Sequence, residues 1–305
     1  MFNFIAIILK KYVYSRDLRQ IKKNFIYYVF FRLIRKTLTS KIKIKIYNID
    51  IWASNKKNEM SHSLLRKCDF EDNQEIRLID KINKDYLIYL FDCGSNFGFY
   101  SLYVASKNKE NKVCSFEASP STFYEMKQNI ILNKYKTIEA KNLAVSNVDG
   151  EMLNLFESEK DWESSISHSN FKNKSKIEVN SVTLDNFSKN KDLNKYSIII
   201  KLDVEGHEMQ VIDGSLSLIK KHSPIIILEF SKFIKNNKNY DYSYLKNFLT
   251  KYNYYIYNSK YELTSLEKII YQIENLPNNM YGIGNIFLIK QKSKFENIIQ
   301  NVRSY

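Results

Sequence analysis

The sequence predicts an α/β protein in which a doubly wound, mainly parallel sheet carries helices on both faces. From about residue 86 onward, short apolar runs alternate with helical stretches, which is the order that places helices over a parallel sheet. The runs are apolar at nearly every position, as expected of strands that are buried on both faces. With 305 residues, of which 44% are hydrophobic, the chain is long enough for one or two domains with a sizeable core.

Five apolar runs are interpreted as the core strands of this sheet. They are Tyr86–Phe91, Lys112–Phe116, Thr137–Val145, Ser197–Leu202 and Pro224–Phe230. The helices predicted between them are Tyr100–Ser106, Ser121–Asn133 and Glu208–Lys221. A further helix, Tyr242–Lys251, precedes two more strands, Tyr254–Tyr257 and Asn285–Lys290. Because no helix is predicted between these last two strands, we expect them to pair antiparallel.

One segment interrupts the alternation of strands and helices. After the turn signal Asn147–Gly150, the stretches Met152–Phe156 and Ile177–Val182 alternate apolar and polar side chains, which is typical of strands with one exposed face. We interpret residues 151–183 as an inserted hairpin with a long polar tip, Glu157–Lys176. The expected organisation is a basic, partly helical N-terminal extension with short strands (1–85), the sheet domain (86–292) and a C-terminal tail (293–305).

The positive charge of the chain is concentrated near its start. The net charge is +14, and residues 1–50 hold twelve Lys and Arg against two Asp. Bulky apolar residues accompany them, but neither apolar run reaches the ~20 residues that a membrane span needs. Three interpretations remain open for this arm: helices docked on the main domain with a solvated basic face, peripheral contact of residues 1–40 with an anionic membrane surface, or contact with nucleic acid or protein.

Composition narrows the class of protein further. Only 7 Gly and 3 Pro exclude collagen-like and low-complexity chains. The three cysteines, Cys68, Cys93 and Cys114, form no C-x-x-C pair, which argues against a disulfide framework or a zinc cluster. The first apolar run also lacks the charge order and cleavage site of a secretory signal. We expect a cytoplasmic protein, with the inner face of the membrane as the alternative location.

The loop after the first strand, Asp92–Gly98, and the residue that ends the second strand predict a ligand site. A pyrophosphate fingerprint has the spacing G-x-G-x-x-G, whereas here Asn96 replaces the middle glycine. Asp92 instead suits a ligand with a cationic amino-acid end. Glu117 is placed to accept both hydroxyls of a ribose, although it also fits a surface carboxylate. We expect Gly94 and Gly98, together with Gly206 after the fourth strand, to allow close approach of this ligand.

The segment Lys201–Glu208, at the end of the fourth strand, is the strongest signal in the chain. Five of its eight side chains are ionisable, and burying such groups is unfavourable without partners. Lys201, Asp203 and Glu205 share a strand face, which fits a reactive site or a buried ion-pair network. His207 is a candidate base, hydrogen-bond donor or helix-start residue, and Glu208 suits the first turn of the helix. Together with Asp203 and Glu205 these two make metal binding conceivable, but no metal-ligand spacing is matched, so we predict no metal.

Five motifs in order resemble the FkbM family of methyltransferases, over roughly residues 85–230. They are Asp92–Ser101, Phe116–Pro120, Asn129–Asn133, Asn142–Ser146 and Lys201–Glu208, and the similarity continues through Val211–Gly214 and Leu228-Glu229. The resemblance implies a class I methyltransferase fold that uses S-adenosylmethionine, with a seven-stranded sheet whose last strand runs antiparallel. It also implies O-methylation, commonly of sugar or polyketide hydroxyls.

The resemblance further implies where each part of the cofactor would lie. Glu117 would hold the ribose with Ser119 nearby, and Ala144 would lie near the adenine. Ser95 and Ala118 are mild departures from the family pattern, and Ser164 and Ser165 in the hairpin tip resemble an element that would contact the acceptor. The residues implied around the methionine part of the cofactor are Asp92, Gly94, Ser95, Asn96 and Gly98.

These features predict an O-methyltransferase that acts on a sugar, a surface glycan or a similar small molecule. Asp203 is the predicted base or orienting group, with Glu205 and His207 as second choices and Lys201 fixing the carboxylates. An RNA methyltransferase is the first rival; it is disfavoured because an acidic site repels phosphate and no Asn/Asp-Pro-Pro-aromatic turn follows the fourth strand. The second rival is a non-catalytic scaffold with this fold at the membrane surface.

Overall fold

A mixed eight-stranded sheet lies at the centre of the molecule. The computed structural model describes residues 16–25, 28, 29, 31, 41–53, 61–70, 73–157, 175–236, 240–277, 280 and 282–303. The described strands in chain order are β1 (Ile42–Ile46), β2 (Ile49–Ala53), β3 (Ile88–Cys93), β4 (Lys112–Phe116), β5 (Ile138–Lys141), β6 (Ala144–Val145), β7 (Met152–Glu157), β8 (Ser175–Val182), β9 (Ser197–Leu202), β10 (Ile225–Ser231), β11 (Tyr254–Tyr257), β12 (Leu263–Thr264) and β13 (Gly282–Lys290).

The order of strands in the large sheet is β12-β11-β13-β10-β9-β3-β4-β5. Strands β10, β9, β3, β4 and β5 run parallel to one another. Strand β13 lies between β10 and β11 and runs antiparallel to both. The doubly wound α/β class and the antiparallel last strand are therefore as predicted. The sheet has eight strands rather than seven, because the two-residue strand β12 pairs with β11 at the edge.

The central strands form because their side chains pack into two separate cores, one on each face of the sheet. Every residue of β3 and of β9 is buried. Alternate residues of β9 enter different cores: Ile199 packs in one cluster and Ile200 in the other. This double burial explains why the apolar run predicted at Ser197–Leu202 coincides with the observed strand.

Helices cover both faces of the sheet. The structure differs from the prediction in two places, where one predicted helix is divided and where a helix was not expected. The described α-helices are Leu18–Lys23, Ser61–Lys67, Asn73–Asp85, Phe99–Lys107, Pro120–Asn133, Leu184–Ser188, Glu208–Asp213, Leu216–His222, Tyr242–Tyr252, Leu266–Glu274 and Lys294–Arg303. The single helix predicted over Glu208–Lys221 is two helices, which separate at Gly214, where an added Cβ would collide with the carbonyl oxygen of Ser146. The expectation of no helix between the closing strands is also wrong, since Leu266–Glu274 lies there. These strands nevertheless pair antiparallel because β13 returns beside β11.

The segment predicted as an inserted hairpin contributes to a second sheet. Strands β7 and β8 pair antiparallel, and β6 joins them parallel to β8. The run predicted as one strand at Thr137–Val145 is therefore split, with β5 in the large sheet and β6 in the small one. Asn142 lies at the split, and its side-chain amide donates hydrogen bonds of 2.8 Å to the carbonyls of Glu117 and Ala118. The hairpin tip at 158–174, with Ser164 and Ser165, lies outside the described residues.

Segments before and after the predicted sheet domain share its core. The hairpin β1–β2 packs against the helix Pro120–Asn133, where Asn129 and Asn133 accept hydrogen bonds of 2.9 Å from the backbone of β2. The region expected to be a C-terminal tail contains the helix Lys294–Arg303, which buries Phe295 and Ile299 in the same cluster. Most of the basic arm, residues 1–15 and 32–40, lies outside the described part. No helix among the described residues combines the length and apolar character needed to cross a membrane.

Candidate active site

The loops that follow β3, β4 and β9 are tied together at one edge of the large sheet. The backbone N–H groups of Gly94 and Ser95 donate to the carbonyl of Phe116, at 3.0 and 2.9 Å. The N–H of Asp203 donates to the carbonyl of Cys93 at 3.1 Å. These bonds place the glycine loop between the two segments that sequence analysis singled out, at the edge where parallel α/β sheets bind ligands.

The glycines of the loop have positive φ and lie close to neighbouring parts of the chain. Gly94 has φ +78°, and a Cβ there would lie 1.8 Å from the carbonyl oxygen of Asp203. Gly98 has φ +88°, and a Cβ there would lie 2.9 Å from Cγ of Met126. These contacts are sufficient to require glycine at both positions, and close approach of a ligand stays a prediction. Gly206 also has positive φ, +95°, so its backbone conformation accounts for it.

Glu117 is turned toward the glycine loop and is fixed there by two backbone groups. Its Oε2 accepts a hydrogen bond from the N–H of Asn96 at 2.9 Å, and its Oε1 accepts one from the N–H of Ser119 at 3.0 Å. Burial raises the pKa of Glu117 to about 7, partly offset by these two hydrogen bonds. Each carboxylate oxygen has a second lone pair, so the group is held in place and can still accept hydrogen bonds from a diol.

Asp92 and Ser95 lie beneath the loop. Asp92 is fully buried, and its Oδ2 accepts a hydrogen bond of 2.6 Å from the hydroxyl of Ser101. Burial raises the pKa of Asp92. The Ser95 hydroxyl donates to the carbonyl of Asp92 at 2.7 Å. Both side chains therefore support the loop from below, and Asn96, with φ +50°, shapes the turn above them.

Lys201 provides a buried positive charge beside these acids. Its side chain is 2% exposed, and its Nζ lies 2.7 Å from Oδ2 of Asp203 and 4.8 Å from the centre of the Tyr100 ring. The side chain of Asp203 is 36% exposed. The Lys201 ammonium holds the pKa of Asp203 below its usual range, against the opposing effect of burial. Asp203 is therefore ionised and accessible, and the ion-pair interpretation of Lys201 agrees with the structure.

Glu229 was not among the predicted site residues, yet it lies beside Asp203. Carboxylate oxygens of Asp203, Glu205 and Glu229 all lie within 4.8 Å of one another. The negative charge of Asp203 is the main cause that raises the pKa of Glu229 well above its usual value, and burial adds to it. Glu205 has φ +51°, which is rare for a residue with a side chain. The sequence signal for Glu229 was its position at the end of the fifth predicted strand, next to the fourth.

His207 and Glu208 do not belong to this group of carboxylates. His207 is buried, its Nε2 lies 3.0 Å from the Ser146 hydroxyl, and burial lowers its pKa to about 4. Glu208 is also buried, and its Oε1 accepts hydrogen bonds from the N–H groups of Val204 and Gly206, at 3.2 and 3.0 Å. Burial raises the pKa of Glu208 to about 7. Glu208 therefore closes the turn after β9, and His207 links this turn to Ser146, the residue after β6.

Two further predicted positions lie beside the Glu117 segment. Ser119 precedes the helix Pro120–Asn133, and its hydroxyl accepts a hydrogen bond of 3.4 Å from the N–H of Thr122, so it serves as the helix cap. Ala144 is buried in β6 within a small cluster that includes Leu155. Its packing therefore belongs to the base of the inserted hairpin.

Comparisons with known proteins relate most of the sheet to one family. The family model described as the methyltransferase FkbM domain matches residues 92–256. Methyltransferase 1 of Beauveria bassiana (strain ARSEF 2860) is 23% identical over 143 residues, which cover 41% of this chain and 57% of that protein. This chain thus spans little more than half of that curated relative.

Solved structures similar to this chain include a methyltransferase and a protein in complex with the ligand MeSAdo. Methyltransferase FkbM from Methylobacillus flagellatus KT has a TM-score of 0.39 at 12% identity, and the match covers 66% of this chain and 43% of that one. P. horikoshii TYW2 in complex with MeSAdo has a TM-score of 0.40 at 14% identity, and the match covers 83% of this chain and 73% of that one.

Proposed function

The chain belongs to the FkbM methyltransferase family, and from this premise we propose that it is an S-adenosylmethionine-dependent O-methyltransferase acting on a hydroxyl of a sugar or surface glycan. The family match over residues 92–256 includes the glycine loop, Glu117 and the Asp203 segment. One observation carries the proposal: the Asp203 carboxylate is held ionised by Lys201 and is accessible beside the loop that also positions Glu117.

The cofactor assignment is supported by the chemistry of the residues around the loop. S-adenosylmethionine supplies an activated methyl group on a sulfonium, so the protein has to bind, align and remove a proton. Glu117 would accept hydrogen bonds from both ribose hydroxyls through the lone pairs that Asn96 and Ser119 leave. The ionised and accessible Asp203 favours a ligand with cationic ammonium and sulfonium groups, and Asp92 supports the loop that would contact it.

Proton removal is assigned to Asp203. An acceptor hydroxyl is weakly acidic, so a carboxylate within hydrogen-bond reach assists as the new O–C bond forms. Lys201 fixes one oxygen of Asp203 and leaves the accessible side of the carboxylate for the acceptor. His207, which is buried, neutral and bonded to Ser146, is the weakest of the predicted bases.

A hydroxyl acceptor is favoured over nucleic acid by the distribution of charge. Asp203, the ionised and accessible carboxylate at the site, repels a phosphate backbone, whereas most of the net positive charge lies in the first 50 residues. A small alcohol carries no such charge. The inferred acceptors are therefore sugars, glycans or their activated precursors.

The test is methyl transfer from labelled S-adenosylmethionine to a panel of glycans and nucleotide sugars. Asp203→Asn should lower turnover about 10²-fold or more, as expected for loss of a general base, while calorimetry shows nearly unchanged affinity for S-adenosylhomocysteine. Glu110→Gln changes an exposed carboxylate that precedes β4, at the opposite end of this strand from Glu117, and is the matched control. Near-normal turnover of Asp203→Asn would place the base elsewhere, and absence of cofactor binding by the wild type would favour the scaffold alternative.

The described part of the basic arm supports a second proposal, contact with a membrane surface. The helix Leu18–Lys23 ends in two lysines, and Phe25 directly after it is 79% exposed. Basic side chains next to an exposed aromatic ring suit the surface of an anionic bilayer. The arm would then hold the enzyme close to a lipid-linked or membrane-bound acceptor.

A further inference from the structure

The carboxylates of Asp203, Glu205 and Glu229 form a cluster, called here the carboxylate triad, whose ligand atoms lie within 4.8 Å of one another. Asp203 and Glu205 follow β9, and Glu229 lies near the end of β10, which is the parallel neighbour of β9. Asp203 and Glu229 are joined by a side-chain hydrogen bond, and three ionised carboxylates this close would repel one another unless a cation lay between them. Lys201 occupies one oxygen of Asp203, at 2.7 Å.

A fourth oxygen is offered by Asn285 on the antiparallel strand β13, opposite Glu229. Asn285 of β13 is directly opposite Glu229 in the register of β10 and β13, which brings the two Cβ atoms within about 5.5 Å. Asn285 is 9% exposed, and its Oδ1 is buried without a hydrogen-bond partner in the described part of the chain. A buried amide oxygen without a partner is unfavourable, and such an atom points to a ligand.

The alternation of the strands places these side chains on one face of the sheet. Ile199, Ile227 and Phe287 pack in the same core cluster, so they mark one face of β9, β10 and β13. Glu229 and Asn285 are each two residues from a marker, Ile227 and Phe287, and therefore extend from that face. Asp203 is four residues beyond Ile199 and follows the same alternation.

We propose that the carboxylate triad and the amide oxygen of Asn285 bind a divalent cation of the Mg²⁺ class, which in turn holds the acceptor hydroxyl. Hard cations of this kind prefer carboxylate and amide oxygens, and Mg²⁺ commonly keeps positions open for water or substrate. This inference rests on the proposed function, because it gives the cation a role in positioning the alcohol. It also replaces the earlier expectation that the chain binds no metal.

The cation would assist the transfer without changing its stoichiometry. The acceptor oxygen forms a bond to the methyl carbon, the carbon–sulfur bond breaks, and its electron pair returns to sulfur, which leaves a neutral thioether. The hydroxyl proton passes to the carboxylate of Asp203 and then to solvent. A bound divalent cation lowers the pKa of an oxygen that it coordinates, so this proton leaves more easily.

Manganese binding to the full-length protein tests the site without substrate. Mn²⁺ titrated in the absence of cofactor and acceptor, and followed by electron paramagnetic resonance, should show one site that Mg²⁺ displaces. Glu229→Gln should weaken Mn²⁺ binding at least about tenfold and Asn285→Ala should weaken it to a smaller extent, while Glu110→Gln binds like the wild type. No binding at millimolar Mn²⁺, or equal binding by Glu229→Gln and the wild type, would overturn the proposal.

A measurement on the wild type alone keeps the test decisive if a variant fails to fold. Electron paramagnetic resonance of Mn²⁺ bound to the wild type in ¹⁷O-enriched water should show that protein oxygens have replaced part of the ion's water ligands. A bound Mn²⁺ that keeps its full set of water ligands would exclude the triad as the site.

The outcome also separates this inference from the proposed function. Methyl transfer that persists in chelator, with no Mn²⁺ binding, removes the cation site and leaves the methyltransferase. Mn²⁺ binding at the triad without transfer to any acceptor keeps the site and removes the proposed function.

Discussion

Replacing Gly94 with alanine tests whether the loops after β3 and β9 are held together by direct backbone contact. The added Cβ would lie 1.8 Å from the carbonyl oxygen of Asp203, so the two loops must move apart. The residue also has φ +78°, a conformation that is unfavourable for alanine by roughly 1–2 kcal/mol. Overpacking adds about 1–3 kcal/mol. We therefore expect Gly94→Ala to lower the free energy of unfolding by about 2–5 kcal/mol.

Gly150→Ala is the matched control for this experiment. Gly150 has a similar φ, +71°, but no atom lies within 4 Å of the position of its Cβ. Both variants lose the same flexibility of the unfolded chain, so the difference between them isolates the collision with Asp203. Gly150→Ala should lower the free energy of unfolding by only about 1–2 kcal/mol.

Urea unfolding followed by circular dichroism gives both free energies, and calorimetry gives the affinity for S-adenosylhomocysteine. Gly94→Ala should also weaken the binding of S-adenosylhomocysteine, because displacing the loop moves Asn96 away from Glu117. If the two variants unfold with the same free energy, the close approach of Gly94 to Asp203 is not a feature of the protein in solution. If stability falls but ligand affinity does not, the glycine loop does not position the cofactor.

Three further predictions concern other side chains. Glu117→Gln keeps the shape of the side chain but replaces one acceptor oxygen with a donor, so the dissociation constant for S-adenosylhomocysteine should rise about tenfold or more, about 1.4 kcal/mol. The control Glu110→Gln should leave it unchanged, and equal affinities of Glu117→Gln and the wild type would show that Glu117 does not bind the ribose. Burial raises the pKa of Glu208 from 4.5 to about 7, so the native state keeps this proton to a higher pH than the unfolded state does. The stability that this provides below pH about 4.5 is lost as the pH rises to about 7. Glu208→Gln should therefore flatten the fall in unfolding free energy across this interval by up to about 1.4 kcal/mol per pH unit, and parallel pH profiles for variant and wild type would contradict the raised pKa. The double variant Lys23→Glu, Phe25→Ser should sediment less with anionic vesicles than the wild type does. Tyr271→Ser, which removes an aromatic ring that is 69% exposed at another place on the surface, should sediment like the wild type. Equal sedimentation of the double variant and Tyr271→Ser would argue against membrane contact through Phe25.

Local patterns were sufficient to predict the strands of the sheet. Ser197–Leu202, Lys112–Phe116 and Tyr254–Tyr257 coincide with the observed strands because each is bounded by polar or turn residues and packs against the core. The helix at Glu208–Lys221 was predicted as one, whereas two helices meet at Gly214, which lies against Ser146, a residue distant in sequence. No periodicity within the helix contains that information.

The site was predicted in part for the same reason. Asp203, Glu205 and Lys201 share a short motif, and Glu117 ends a recognisable strand, so each was visible in the sequence. Glu229 and Asn285 come together with Asp203 only through the order of strands, in which β10 lies between β9 and β13. The contacts of Gly94 with Asp203 and of Gly98 with Met126 were not predicted, because a glycine pattern does not reveal which parts of the chain lie against it.

The packing of the N-terminal hairpin bears on how the protein can be shortened for biochemical work. Ile44 and Ile51 of the hairpin, together with Ile79 of the helix Asn73–Asp85, lie in the same cluster as Leu90 at the centre of the sheet. A truncation that starts at residue 86, where the strand–helix alternation begins, would remove this part of the cluster and expose the apolar side chains that pack against it. Such a fragment should aggregate on expression, so the contribution of the basic arm is better measured with point variants than with an isolated sheet domain.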